Sequence, residues 1–142
     1  VIYAAQSDIE ALYGPDALYA ADRDGDGIAD APAIAQALAS ASAEIDGHLA
    51  VRYDLPVPGT HPILVQYCVD IALYRLANAG DVMTTEHRTR FEDAISALKR
   101  IARGEMRLTL PASDDPDAPA GPRPIVSSGP PRLFSRTALR DF

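Results

Sequence analysis

Asp22, Asp24, Asp26 and Asp30 stand in the stretch "AADRDGDGIADAP", residues 20–32. Closely spaced carboxylates separated by glycine suit a hard cation, because Ca2+ takes roughly six to eight oxygen ligands from side chains and carbonyls. On the twelve-residue frame of an EF-hand loop, Asp22 falls at position 1, Asp24 at 3, Asp26 at 5 and Gly27 at 6. Ile28 falls at position 7, where the ligand is a carbonyl, and Asp30 at 9. Position 12 calls for a bidentate acid and holds Ala33. Gly14 and Pro15 break the preceding helix, so a full helix–loop–helix hand is not expected. The competing reading is a tight Asp/Gly turn whose Asp30 caps a helix. On either reading the loop is scaffold, and a bound Ca2+ would brace it.

The remaining reactive side chains assemble no site in the sequence. Cys68, the single cysteine, lies in an apolar helical stretch and reads as a buried thiol acting as a small hydrophobe. His48, His61 and His87 have no i, i+4 ligand spacing and read as surface or interface residues. Asp70 sits in the most apolar stretch, four residues after Gln66, and is expected to pair with an arginine from a neighbouring helix. Phosphate loop, nucleophile elbow and Cys/His cluster are all missing from the sequence, so no enzyme is expected and no cofactor is required.

The elements that would position these residues are helical. "SDIEALYG", residues 7–14, reads as a short helix with Ser7 and Glu10 as a capping box. Asp30 caps a second helix, with Pro32 in its first turn and Ile34, Leu38, Ala41, Ile45, Leu49 and Tyr53 on one face. Proline-rich "DLPVPGTHP" leads to a third helix, about 61–79, apolar on nearly every side and therefore central. The fourth helix, about 84–103, is capped by Thr84 or Thr85 and ended by Gly104, with Phe91, Ile95, Leu98 and Ala102 towards the core. "EMRLTLP", 105–111, alternates and predicts a short strand or an extended arm. The fold class is mainly α: a small bundle of about four helices, with the Asp-rich loop and N-terminal helix at one end.

The chain has 142 residues, 47% hydrophobic, which fits one core. No apolar run approaches the roughly 20 residues that span a bilayer, and no signal peptide is expected. Its net charge of −7 is unevenly spread. Residues 1–60 carry ten acids and two bases, whereas 61–110 carry six acids and seven bases. An acidic body argues against a domain that coats nucleic acid. Three segments follow from composition: a helical domain over 1–110, a flexible linker over 111–131 with seven prolines, and a docking segment over 132–142. In the last, Leu133, Phe134, Leu139 and Phe142 are apolar anchors interleaved with Arg132, Arg136 and Arg140. Apolar anchors and arginines on a tether describe a peptide that docks on a partner.

The ordered segments "IYAAQSDIEALYG", "DRDGDGIAD", "ALASASAEIDGHLAVRYDLP", "CVDIALYRL", "RFEDAISALKRIARGEMRLTLP" and "RLFSRTALRDF" together resemble the head-to-tail connector (adaptor) proteins of Mu-like phages and prophages. The resemblance covers essentially the whole chain. It implies a non-enzymatic virion protein of the neck, assembled in the bacterial host cytoplasm. Such a protein would form a ring, commonly of twelve copies, between the portal protein and a downstream neck or tail protein. It would line the DNA channel, with no sequence-specific nucleic-acid binding and no membrane partner. The C-terminal segment would reach the portal. The alternatives are a calcium-binding interaction module and a neighbouring neck component, either a head-completion or a tail-terminator protein.

Overall fold

The computed structural model describes residues 1–22 and 24–109. Arg23 and residues 110–142 lie outside them, and with the latter the expected linker and docking segment. The described residues form four α-helices and one 3₁₀ segment, with no strand among them.

Helix α1 spans Gln6–Tyr13 and begins earlier than the expected Ser7 cap. Ala5 holds the N-cap position and offers no side-chain acceptor, so the cap comes from inside the helix: the Asp8 carboxylate accepts from the Ala5 N–H at 2.7 Å. Glu10, expected in a box with Ser7, instead accepts from Gln6 Nε2 at 2.9 Å. Gly14 ends the helix at φ +82°. The next segment is a 3₁₀ turn over Pro15–Ala21. Pro15 breaks α1 and also starts this turn, where its missing N–H costs nothing. Leu18, Ala20 and Ala21 are thereby buried.

Helix α2 spans Ala31–Leu49, with Asp30 at the N-cap and Pro32 in the first turn. Ile34, Leu38, Ala41, Ile45 and Leu49 are buried as the spacing predicts, and Ala33, Ala37 and Ser42 widen the stripe. Helix α3 spans Pro62–Ala79 and buries nine residues, among them Leu64, Ile71, Leu73 and Leu76. It touches α1, α2, α4 and the 3₁₀ turn, which is why it is apolar almost all round.

Helix α4 spans Thr85–Arg103. Thr84 is the cap, its side chain accepting from the His87 N–H at 3.2 Å, and Gly104 closes the helix in the left-handed region at φ +80°. Its core face is turned from the expected one. His87, Ala94, Leu98 and Ile101 are buried, while Phe91, Ile95 and Ala102 are only half-buried. Beyond it, residues 105–109 pair with no strand, yet they alternate: Met106 and Leu108 pack on the core, and Glu105, Arg107 and Thr109 are exposed. The Leu108 N–H donates to Tyr53 Oη at 3.0 Å, fixing this arm against the end of α2. No helix among the described residues is long and apolar enough to cross a membrane.

Candidate functional site

The aspartate loop is held by its own amides. Both Asp22 oxygens accept, from Gly25 N–H at 2.8 Å and Gly27 N–H at 2.9 Å. Asp24 accepts from Asp26 N–H at 3.3 Å, and Asp26 from Ile28 N–H at 2.7 Å. Gly25 and Gly27 supply the positive φ, +75° and +83°, that wraps the backbone around Asp22. The Asp30 N–H donates to the Ala21 carbonyl at 3.1 Å, so the neck of the loop is pinned where the 3₁₀ turn meets α2. Slight desolvation pushes the Asp22 carboxyl up, but the Gly27 and Gly25 amides outweigh it and leave it below the usual carboxylate range.

Carboxylate oxygens of Asp22, Asp24 and Asp26 lie within 4.8 Å of one another, a spacing that suits a hard cation. Three of the five predicted ligand residues are therefore brought together. Ile28 is an exposed residue of the loop, 69% accessible, and Asp30 stands at the start of α2. Ala33, at the position of the bidentate acid, is buried inside α2. That position belongs to the core, and an acid there would be desolvated.

Asp70 is 7% exposed, and its partners are not those expected. Among the described residues no arginine pairs with it. Tyr13 Oη donates to Asp70 Oδ1 at 2.5 Å, and Gln66 Nε2 lies 3.2 and 3.1 Å from the two carboxylate oxygens and 2.6 Å from Tyr13 Oη. An arginine does arrive, but on the ring: the Arg90 guanidinium lies 4.4 Å from the Tyr13 centroid. Burial first, then the hydrogen bond to Asp70 and its charge, push the Tyr13 hydroxyl up to about 12. The spacing of Gln66 and Asp70 signalled a polar stripe on α3; that a tyrosine of α1 would close it had no signal in the sequence. This cluster ties α1 to α3 and leaves no group poised to act on a substrate.

The other titratable groups are similarly placed. Cys68 is fully buried, its Sγ 3.4 Å from Ser42 Oγ, and burial pushes its thiol up. His61 caps α3 and its Nε2 lies 3.0 Å from the Pro58 carbonyl. His87 corrects the expectation of a surface histidine. It is 8% exposed, packs near the Tyr19 ring at 6.3 Å, and its Nδ1 has no hydrogen-bond partner among the described residues. Desolvation, followed by the charge of Arg90, lowers its pKa.

Sequence reasoning also missed a groove along α4. Phe91 stacks on Tyr74 of α3 at 4.1 Å and 13°, and Phe91 borders two hollows. One, of about 430 Å³, is bordered by Glu44 and Arg75, which pair at 2.6 Å. The other, of about 440 Å³, is lined by Phe91, Ile95 and Ser96 with the charged Glu92, Lys99, Arg100 and Arg103.

Comparison with known proteins places this architecture. The model of the family described as "Bacteriophage Mu, Gp36" matches residues 3–126. The chain belongs to this family. Among curated members of the Mu Gp36 group, Mu-like prophage FluMu protein gp36 of Haemophilus influenzae is 34% identical over 86 residues. That alignment covers 61% of this chain and 60% of the relative, so the chain spans less than two thirds of that protein's length. The Mu Gp36 match takes in α1 to α4, the aspartate loop and the arm at 105–109.

Proposed function

We propose that this chain is a non-enzymatic structural protein of a Mu-like phage neck. It acts as a head-to-tail connector, a homo-oligomeric ring between the portal and the next neck or tail protein. The observation that carries the reading is the family match over residues 3–126, which takes in the whole helical bundle. Three physical features support it. The described residues form one shared apolar core, as a compact building block would. Residues 1–60 carry ten acids against two bases, and a wall of that sign would not hold passing DNA. The apolar anchors and arginines of residues 132–142 suit a segment that docks on the portal.

Electron microscopy of a lysate from a phage lacking this gene tests the proposal. DNA-filled heads beside complete, unattached tails are expected. Normal virions would overturn it. Heads that have lost their DNA, or tails of irregular length, would move the protein to a neighbouring layer, as a head-completion or tail-terminator protein. The clustering of Asp22, Asp24 and Asp26 supports a second reading, a calcium-binding interaction module. Calorimetry separates the two: Ca2+ binding in the sensor range, roughly 10⁻⁷–10⁻⁵ M, coupled to exposure of apolar surface would favour the module.

A further inference from the structure

The geometry points to a contact between copies of this chain, in which the Asp24–Ile28 tip of one seats in the Phe91–Ile95 groove of the next. The inference rests on the ring proposed above and names the surfaces that close it. The groove is amphipathic. Half-buried Phe91 and Ile95 line it together with Glu92, Lys99, Arg100 and Arg103, all four exposed. Lys99 forms no ion pair among the described residues. Arg100 and Arg103 share the same carboxylate, Glu105, at 3.7 and 4.0 Å, and with Glu92 also in the lining the three cations outnumber the acids by one. The loop has the complementary pattern. Ile28 is 69% exposed, in the same loop as the exposed carboxylates of Asp24 and Asp26. Neither carboxylate forms an ion pair among the described residues, and the amide bonds of the loop hold the tip in one shape. A pre-shaped knob loses little freedom on docking.

Knob and groove are different surfaces of the same chain. Their pairing is therefore heterologous, the geometry that propagates from copy to copy and closes into a ring when the rotation permits. Apolar contact at the centre with charge at the rim is the usual anatomy of a protein interface. Because the charged groups are exposed, the contact weakens as salt shortens the screening length, from about 8 Å at physiological ionic strength to about 3 Å at 1 M.

The test uses the full chain, with and without portal rings, in a phage complementation strain. Cys68 is fully buried, so cysteines introduced as Ile28→Cys and Ser96→Cys are the accessible thiols. Under oxidation the double variant should give a ladder of multimers on a non-reducing gel, and each single variant should not. D24K/D26K and K99E/R103E, each added to the double-cysteine chain, should lose the ladder and fail to complement. Combined, they should restore both, a rescue that misfolding would not give. If wild-type rings are visible by electron microscopy yet the double-cysteine chain gives no ladder, this contact is wrong and the ring stands. If K99E/R103E abolishes rings and D24K/D26K does not, another acidic segment fills the groove and the proposed occupant is overturned. If the wild-type chain forms no ring with the portal, the connector reading falls, and this inference with it.

Discussion

Tyr13 concentrates three interactions on one side chain. Its hydroxyl donates to Asp70 and lies 2.6 Å from Gln66 Nε2, and its ring carries Arg90. Tyr13→Phe keeps the ring and its cation and removes the hydroxyl. Asp70, nearly buried, is then left to Gln66 alone, and the loss should be about 1–3 kcal/mol of stability, the usual cost of leaving a buried polar group short of a partner. Urea unfolding at pH 7 measures it; no change in midpoint would mean that water replaces the hydroxyl. The same variant carries a pH signature. In the folded protein the Tyr13 hydroxyl is pushed up to about 12 from 10.0. Below pH 10 both states are protonated and the contribution is fully present. Between 10 and 12 only the unfolded state loses its proton, so stability falls as pH rises. Wild type and Tyr13→Phe should therefore converge across that window.

At the scale of the helices, two glycines do opposite things. Gly104 stands at φ +80°, where a Cβ is strained, and an added Cβ would also meet the flexible end of Arg52. Gly104→Ala should destabilise by about 1 kcal/mol. Gly47 lies exposed within α2 with open space where its Cβ would be, so Gly47→Ala should stabilise by about 0.5–1 kcal/mol. Chemical denaturation of the pair checks the opposite signs, and an unchanged m-value would show that the surface exposed on unfolding is the same in both. The helices themselves were legible because their punctuation is local: Asp30 and Pro32 before α2, Pro62 at the start of α3, Thr84 and Gly104 around α4. The rotation of α4 was not legible. Hydrophobicity favours Phe91 and Ile95 over Ala94 and His87 as core residues. The structure buries the small Ala94 where helices approach closely, and Phe91 lies half-buried on Tyr74 instead. The 3₁₀ turn was hidden for a similar reason, since Pro15 signals both the end of one element and the start of another. Of the candidate site, the clustering of Asp22, Asp24 and Asp26 follows from their spacing in one loop. The Tyr13–Asp70 link joins residues 57 apart and depends on helix packing that no local pattern encodes.

For the whole molecule, the question is which part folds and which part reaches a partner. Every buried apolar residue among those described lies at or before Ile101, and Met106 and Leu108 complete the packing. Residues 132–142 bring two leucines, two phenylalanines and three arginines. Burying four such apolar side chains against a partner is worth roughly 6–12 kcal/mol gross, at about 1.5–3 kcal/mol each, and ordering a tether offsets much of it. A ring restores the advantage by repeating the contact, because once one segment is bound the others dock at high effective concentration. Deleting residues 132–142 should therefore leave helical circular dichroism and the urea midpoint of the body unchanged. It should abolish co-sedimentation with portal rings. Replacing Leu133, Phe134, Leu139 and Phe142 by serine should do the same at high salt as at low salt, because it removes the apolar contribution. Replacing Arg132, Arg136 and Arg140 by glutamine should weaken binding most at low salt, where charge contributes most. Undiminished sedimentation of the deleted chain with the portal would place the portal-binding surface on the helical body and leave the C-terminal segment with another partner.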